Sequence, residues 1–159
     1  MKKIPLTQGK YAIVDDKDFK FLSQWNWHLR KTLNKERFYA VRMSPRVKGK
    51  QTVIKMHSLI IGTPKGMDTD HINGDGLDNR KSNLRICTRS ENCLNRRRHS
   101  NNKSGYKGVF WHKQSKKWEV SIQINKKQIT IGRFENIKEA IKVCKNARIK
   151  YHKEFANTG

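Results

Sequence analysis

The chain has 159 residues, 35% of them hydrophobic, which suffices for one ordinary domain or two small ones with modest cores. Its 36 lysines and arginines against 13 acidic residues give a net charge of +23, spread over residues 1–100 (22 basic, 9 acidic) and 101–159 (14 basic, 4 acidic). Self-repulsion at this charge is relieved by a polyanionic partner, and the lack of any long apolar run or basic-then-apolar leader points to a soluble, non-secreted protein with no membrane partner.

"KYAIVDD" predicts a short strand whose acidic end caps a following helix, and "DFKFLSQWNWHL" puts Phe21, Leu22, Trp25 and Leu29 near helical spacing, as a core stripe. Trp25 and Trp27 are expected inside rather than stacked on a ligand. "RFYAVRMS" and "QTVIKMHS" are β-rich runs separated by the basic turn "PRVKGK", so a small antiparallel sheet follows. "MHSLIIG" predicts a short helix stopping at Gly62, in which His57 packs.

Thr88-Arg89-Ser90-Glu91 matches a capping box, so a helix is expected just after Thr88. The polar, basic run "NRRRHSNNKSG" lacks apolar period, and residues 98–104 read as a linker. The rhythm then changes. Trp118, Val120, Ile122 and Ile124 alternate with Glu119, Ser121 and Gln123, "INKKQI" reads as a hairpin turn, and Ile129 and Ile131 are expected to continue the buried side. From Asn136, residues Ala140, Ile141, Cys144, Ala147, Arg148 and Tyr151 recur at three- and four-residue steps, predicting a helix across the apolar sheet face. The cysteines Cys87, Cys93 and Cys144 are odd in number and lack C-x2-C spacing, which argues against a disulfide framework or a zinc knuckle. They are expected to be reduced and mostly buried.

The stretch "DTDHINGDGLDNRKSNLRICT" concentrates an imidazole, carboxylates and carboxamides around a Gly-rich turn. Cleaving a phosphodiester requires an activated water, neutralised phosphate charge and a stabilised leaving alkoxide. An imidazole with a pKa of ~6.5 serves the first need, and a hard divalent cation on oxygen ligands serves the others. Asp70 and an asparagine carbonyl can supply such oxygens. Neighbours in a strand face opposite ways, so Asp70 and His71 share a site only where the strand ends or twists.

Asp70-His71, then Asn79 in "LDNR" and Asn83 in "SNLR", resembles the HNH nuclease motif in the variant where asparagine replaces the final histidine. The resemblance spans residues 54–97. It implies two short strands and a helix clasping one divalent ion, with His71 as general base, Asp70 and Asn83 as metal ligands, and Asn79 tying the loop and orienting His71. The oxygen donor at Asn83 favours Mg²⁺ or Mn²⁺ over zinc, and no organic cofactor is implied. Arg80, Lys81, Arg85 and Arg89 flank the motif as candidate phosphate contacts.

"GYKGV", "KKWEVSI", "IGRF" and the Ala-containing helix make the segment after Ser104 similar to the plant AP-two/ethylene-responsive-factor DNA-binding domain. That family lays a three-stranded sheet in the major groove. Carried over by position, the contacts are Lys107, His112, Lys116, Glu119, Ser121, Gln123, Lys127 and Thr130. Lysine lacks the planar fork that reads guanine, so no target sequence transfers.

The combination is similar to small homing endonucleases of phage and bacteria. The implied α+β chain has a β-rich region and ββα-metal core in residues 1–97, the linker 98–104, and a three-stranded antiparallel sheet packed on one helix in 105–159. It would cut double-stranded DNA in the cytoplasm of a bacterium or phage-infected host. Two rivals share the basic charge: a non-catalytic DNA-binding regulator with a vestigial core, and an RNA- or ribosome-associated protein. The second would want an aromatic-rich exposed sheet, which residues 119–131 lack.

Overall fold

The computed structural model describes residues 1–32, 37–95, 102–124 and 127–156. Residues 98–101 of the expected linker and 125–126 of the expected turn lie outside them. The fold is α+β, in two compact units, Met1–Arg89 and Ser90–Gly159.

In the first unit, β1 (Lys2–Pro5) pairs antiparallel with β2 (Tyr11–Val14), and α1 (Asp16–Leu22) follows. The helix is shorter than its apolar spacing predicts. The burial period switches from helical to alternating after Leu22: Trp27 and Leu29 are buried while His28 is exposed, and β3 (His28–Lys31) begins there. Phe21 is consequently exposed rather than core, and the Trp27 indole N–H donates to the Leu22 carbonyl at 2.9 Å. β3 joins β4 (Phe38–Met43) and β5 (Val53–Lys55) in an antiparallel sheet of order β3-β4-β5. Its strands and α2 (Met56–Ile61) enclose a core of Ile4, Ala12, Val14, Leu22, Trp27, Leu29, Ala40 and Met56. The helix α2 stops at Gly62, whose φ of 63° is the left-handed cap position that glycine occupies without strain.

A second hairpin, β6 (Asp68–His71) with β7 (Leu84–Cys87), carries the motif. The loop between them docks on β2: the Ile13 N–H donates to the Leu77 carbonyl and the Asn79 N–H to the Ile13 carbonyl, both at 2.8 Å. Gly76 is required where this loop passes β4, since a Cβ there would lie 2.2 Å from the Phe38 carbonyl oxygen and 2.6 Å from the Tyr39 ring.

Short α3 (Arg89–Leu94) starts immediately after Thr88, as the capping pattern predicts. In the second unit its last carbonyl, that of Leu94, accepts from Lys107 Nζ at 2.8 Å and from the Arg148 guanidinium at 3.2 Å. Asn102 and Ser104, at the end of the expected linker, bond the backbone of Tyr106 and Val109. Strands β8 (Val109–His112), β9 (Lys117–Ile124) and β10 (Lys127–Phe134) form an antiparallel sheet of order β10-β9-β8. It packs on α4 (Ile137–His152), which Asn136 caps by accepting the Lys138 N–H.

Val109, Val120, Ala140 and Cys144 make the core of this unit. Two expectations fail at its rim. Ile129 and Ile131 are exposed, because β10 is an edge strand whose register shifts between Thr130 and Gly132. Tyr151 is exposed, and His152 takes the buried place, donating from Nε2 to the Gln123 carbonyl at 2.8 Å. Cys87 and Cys144 are buried thiols, and no disulfide forms among the described residues.

Candidate active site

β6 ends at His71, so the backbone leaves the strand where Asp70 and His71 would otherwise be held on opposite faces. Both side chains are nearly inaccessible, Asp70 at 4% and His71 at 5% exposure. Gly74, with φ of 74°, closes the turn by donating its N–H to the His71 carbonyl at 2.9 Å.

Beyond it the loop is stitched by its own polar side chains. Asp75 N–H donates to Asn73 Oδ1 at 2.8 Å and Leu77 N–H to Asp75 Oδ1 at 3.0 Å, side-chain-to-backbone turns typical of these residue types. Arg80 grips Asp78 with two bonds of 2.8 and 2.6 Å, and this guanidinium holds the Asp78 carboxyl below the usual carboxylate range.

The two expected asparagines do different work. Asn79 is fully buried; its Nδ2 donates to the Leu77 carbonyl, which turns Oδ1 toward His71 Nε2 at 3.4 Å. Because Oδ1 only accepts, Nε2 must carry the proton, and Nδ1 is left as the basic nitrogen. Asn83 instead fastens the loop: Oδ1 accepts the Asn73 N–H at 3.0 Å, and Nδ2 donates to Asn73 Oδ1 and to the Asp78 carbonyl at 3.0 and 2.8 Å. The amide expected as a metal ligand thus also straps the loop.

Burial pushes the His71 pKa down, against the Asn79 hydrogen bond and the carboxylates of Asp70, Asp75 and Asp78, so the ring is neutral at pH 7. Its neighbour His57 packs edge-on at 4.9 Å between centroids, and Tyr39 closes the group at 5.4 Å from His57 and 5.9 Å from His71. Among the described residues His57 Nδ1 has no hydrogen-bond partner. Burial first, then the His71 and Lys55 charges, lower the His57 pKa from 6.5 to about 3.

An unfolded chain therefore binds a proton that the folded chain refuses. Stability is full above pH 6.5 and declines as the pH falls through that value, by about 2 kcal/mol at pH 5 from His57 alone. Urea titrations at about pH 7.5 and about pH 5 should show this loss, and His57→Phe should diminish it.

Asp70 is a cross-strand partner of Arg85, whose Nε and Nη2 both donate to Asp70 Oδ2, at 2.9 and 2.6 Å. Arg85, expected on phosphate, is thus bonded to the site carboxylate. Of the other expected contacts near the motif, Arg80 is held by Asp78, Lys81 is exposed with Nζ 3.1 Å from Asp18, and Arg89 is exposed. Among the described residues no group of three or more His, Cys, Asp or Glu side chains could hold a metal ion, so a cation here would depend on one carboxylate with amide, water and phosphate oxygens.

In the second unit Lys116, Gln123, Lys127 and Thr130 are exposed. Lys107 reaches the Leu94 carbonyl, and His112 Nδ1 lies 2.9 Å from the Ser115 hydroxyl. Glu119 and Ser121 are buried, contrary to their expected place on an open reading face: Arg133 donates to Glu119 at 2.6 Å and Gln128 to Ser121 at 2.9 Å. Arg133 is a half-exposed cation across from Glu119 that alternation does not find, because the β10 register shifts between Thr130 and Gly132.

Residues 61–94 match the HNH endonuclease family. The chain is similar to Protein 3.8 of Escherichia phage T7, with 32% identity over 93 residues, which is 58% of this chain and 76% of that protein. No solved structure matches it significantly. The chain therefore carries an HNH endonuclease domain, and it belongs to the same family as Protein 3.8 of Escherichia phage T7.

Proposed function

We propose that this chain is a homing-type DNA endonuclease that hydrolyses a phosphodiester with one divalent ion per active site. The observation that carries the reading is the buried carboxylate and neutral imidazole at the end of β6, with the imidazole tautomer set by Asn79. The HNH match supports the reaction class, and the charge of +23 supports a DNA substrate.

The donor chemistry fits a hard cation. Asp70 would hold Mg²⁺ or Mn²⁺, with water and phosphate oxygens in most other positions. When bound, such an ion neutralises phosphate charge and stabilises the departing 3′-oxygen. Asn83 in this proposal keeps its role as an oxygen ligand, since Oδ1 accepts one N–H, from Asn73, and retains a second lone pair, while Nδ2 straps Asn73 and the Asp78 carbonyl.

His71 Nδ1 accepts the proton of the attacking water. Asn79 holds the opposite nitrogen, and the rings of Tyr39 and His57 keep the imidazole in place. Arg85 balances the buried Asp70 charge and fixes its orientation. Burial of His71 lowers its basicity but ensures that it enters the reaction unprotonated.

For residues 105–159 we propose an AP-two/ethylene-responsive-factor-like role, supplying most of the site preference. The three-stranded sheet on one helix supports it. Lys116, Gln123, Lys127 and Thr130, with His112, are the groups we assign to bases and phosphates.

Supercoiled plasmid incubated with the chain and Mg²⁺ should be nicked or cut, and a chelator should stop the reaction. Absence of strand breakage on any DNA with Mg²⁺ or Mn²⁺ would favour the non-catalytic DNA-binding regulator.

A further inference from the structure

Between β4 and β5 the first unit extends an arm. Ser44 N–H donates to the Thr52 carbonyl at 2.8 Å, and Val47 and Lys50 exchange two backbone bonds of 2.9 and 3.0 Å. Lys48 and Gly49 turn the tip with φ of 47° and 75°, the positive pair that a tight two-residue hairpin requires. Thr52 N–H bonds Ser44 Oγ and Gln51 Nε2 bonds the Ser44 carbonyl, which stiffens the ribbon from its own side chains. At its base Arg42 stacks on Trp25, 4.2 Å from the ring centroid.

Residues 45–52 are exposed throughout, with Val47 at 66%. From Arg37 to Lys55 the sequence holds six basic and no acidic residues. Among the described residues Arg46, Lys48 and Lys50 appear in no ion pair. Lys48 sits where asparagine or glycine would be the less strained choice. Folding alone gives no reason for lysine there, whereas a partner that needs a cation at the tip does.

We propose that this arm is a second DNA-binding element, a two-stranded ribbon that enters the major groove and sets Arg46, Lys48 and Lys50 on the flanking phosphates. A B-form major groove about 12 Å wide admits such a ribbon, with Val47 at the tip to meet base edges, whereas the deep, narrow major groove of duplex RNA does not. The inference rests on the reading of the chain as a DNA-binding enzyme, and adds a contact surface that neither the HNH motif nor the C-terminal sheet contains.

The test measures duplex affinity of the full chain against salt concentration, without divalent ions so that binding is read apart from cleavage. Arg46→Ala/Lys48→Ala/Lys50→Ala should keep the wild-type melting temperature, lose about tenfold or more in DNA affinity near 0.1 M salt, and lower the logarithmic salt slope by about two to three. Lys48→Asn should raise the melting temperature while lowering the slope by about one. Duplex RNA of the same sequence should respond much less to either change.

Unchanged DNA affinity and slope, an equal loss on RNA, or a Lys48→Asn variant with the full wild-type slope would each overturn the proposal. A chain that binds through the arm yet never cuts would instead remove the nuclease reading and leave the arm standing.

Discussion

His71→Ala is expected to lower DNA cleavage by about a hundred- to ten-thousand-fold while leaving DNA affinity nearly unchanged. The imidazole is buried and neutral, with Nε2 hydrogen-bonded to Asn79, and Nδ1 is the unprotonated nitrogen proposed to take the water proton. Alanine offers no base. Affinity should survive because it comes from lysines and arginines on phosphates, and His71 is almost inaccessible. His71→Gln, which keeps more of the packing against Tyr39 and His57, should be as inactive as alanine and more stable. Filter binding and single-turnover cleavage on one substrate separate the two effects; an alanine variant that cuts at the wild-type rate removes His71 from the chemistry.

Arg85→Ala should destabilise the first unit, by up to about 3–5 kcal/mol, because it removes two guanidinium bonds from a nearly buried carboxylate. That is a large share of the roughly 5–15 kcal/mol that holds an ordinary domain together. Adding Asp70→Asn should restore much of the stability, since a neutral amide needs no counterion, yet should not restore cleavage. Urea denaturation of the single and double variants gives the coupling directly. If Arg85 were chiefly a phosphate contact, its loss would lower affinity and salt slope with little effect on stability, and Asp70→Asn would rescue nothing.

Periodicity located most of the elements because both units are built from short local patterns. The strand at Lys117–Ile124, the three- and four-residue steps of Ile137–His152 and the stop at Gly62 are each written within a few residues and recur in the structure, although Glu119 and Ser121 are buried as well as Val120 and Ile122. Segment 18–29 misled because Phe21, Leu22, Trp25 and Leu29 satisfy helical spacing while Trp27 and Leu29 also satisfy alternation; packing against β4 decides for the strand. Ile129 and Ile131 misled because alternation fixes a face but not whether an edge strand is covered.

The candidate site divides in the same way. That Asp70, His71, Asn79 and Asn83 belong to one region is what their resemblance to the HNH motif implies. The resemblance assigns Asn79 to His71, but that Asn83 fastens the loop depends on Asn73 and Asp78, partners that only the closed loop brings into reach. Likewise the engagement of Arg85 by Asp70, and of Glu119 by Arg133, depends on strand register across 15 and 14 residues, which composition and charge do not encode.

The most direct measurement is cleavage of a short DNA duplex with Mg²⁺ in water enriched in heavy oxygen, followed by mass spectrometry of the ends. Attack by a water that His71 deprotonates, with the 3′-oxygen departing, predicts the label on the new 5′-phosphate and an unlabelled 3′-hydroxyl. An unlabelled 5′-phosphate, a 3′-phosphate end, or no scission at all would contradict it.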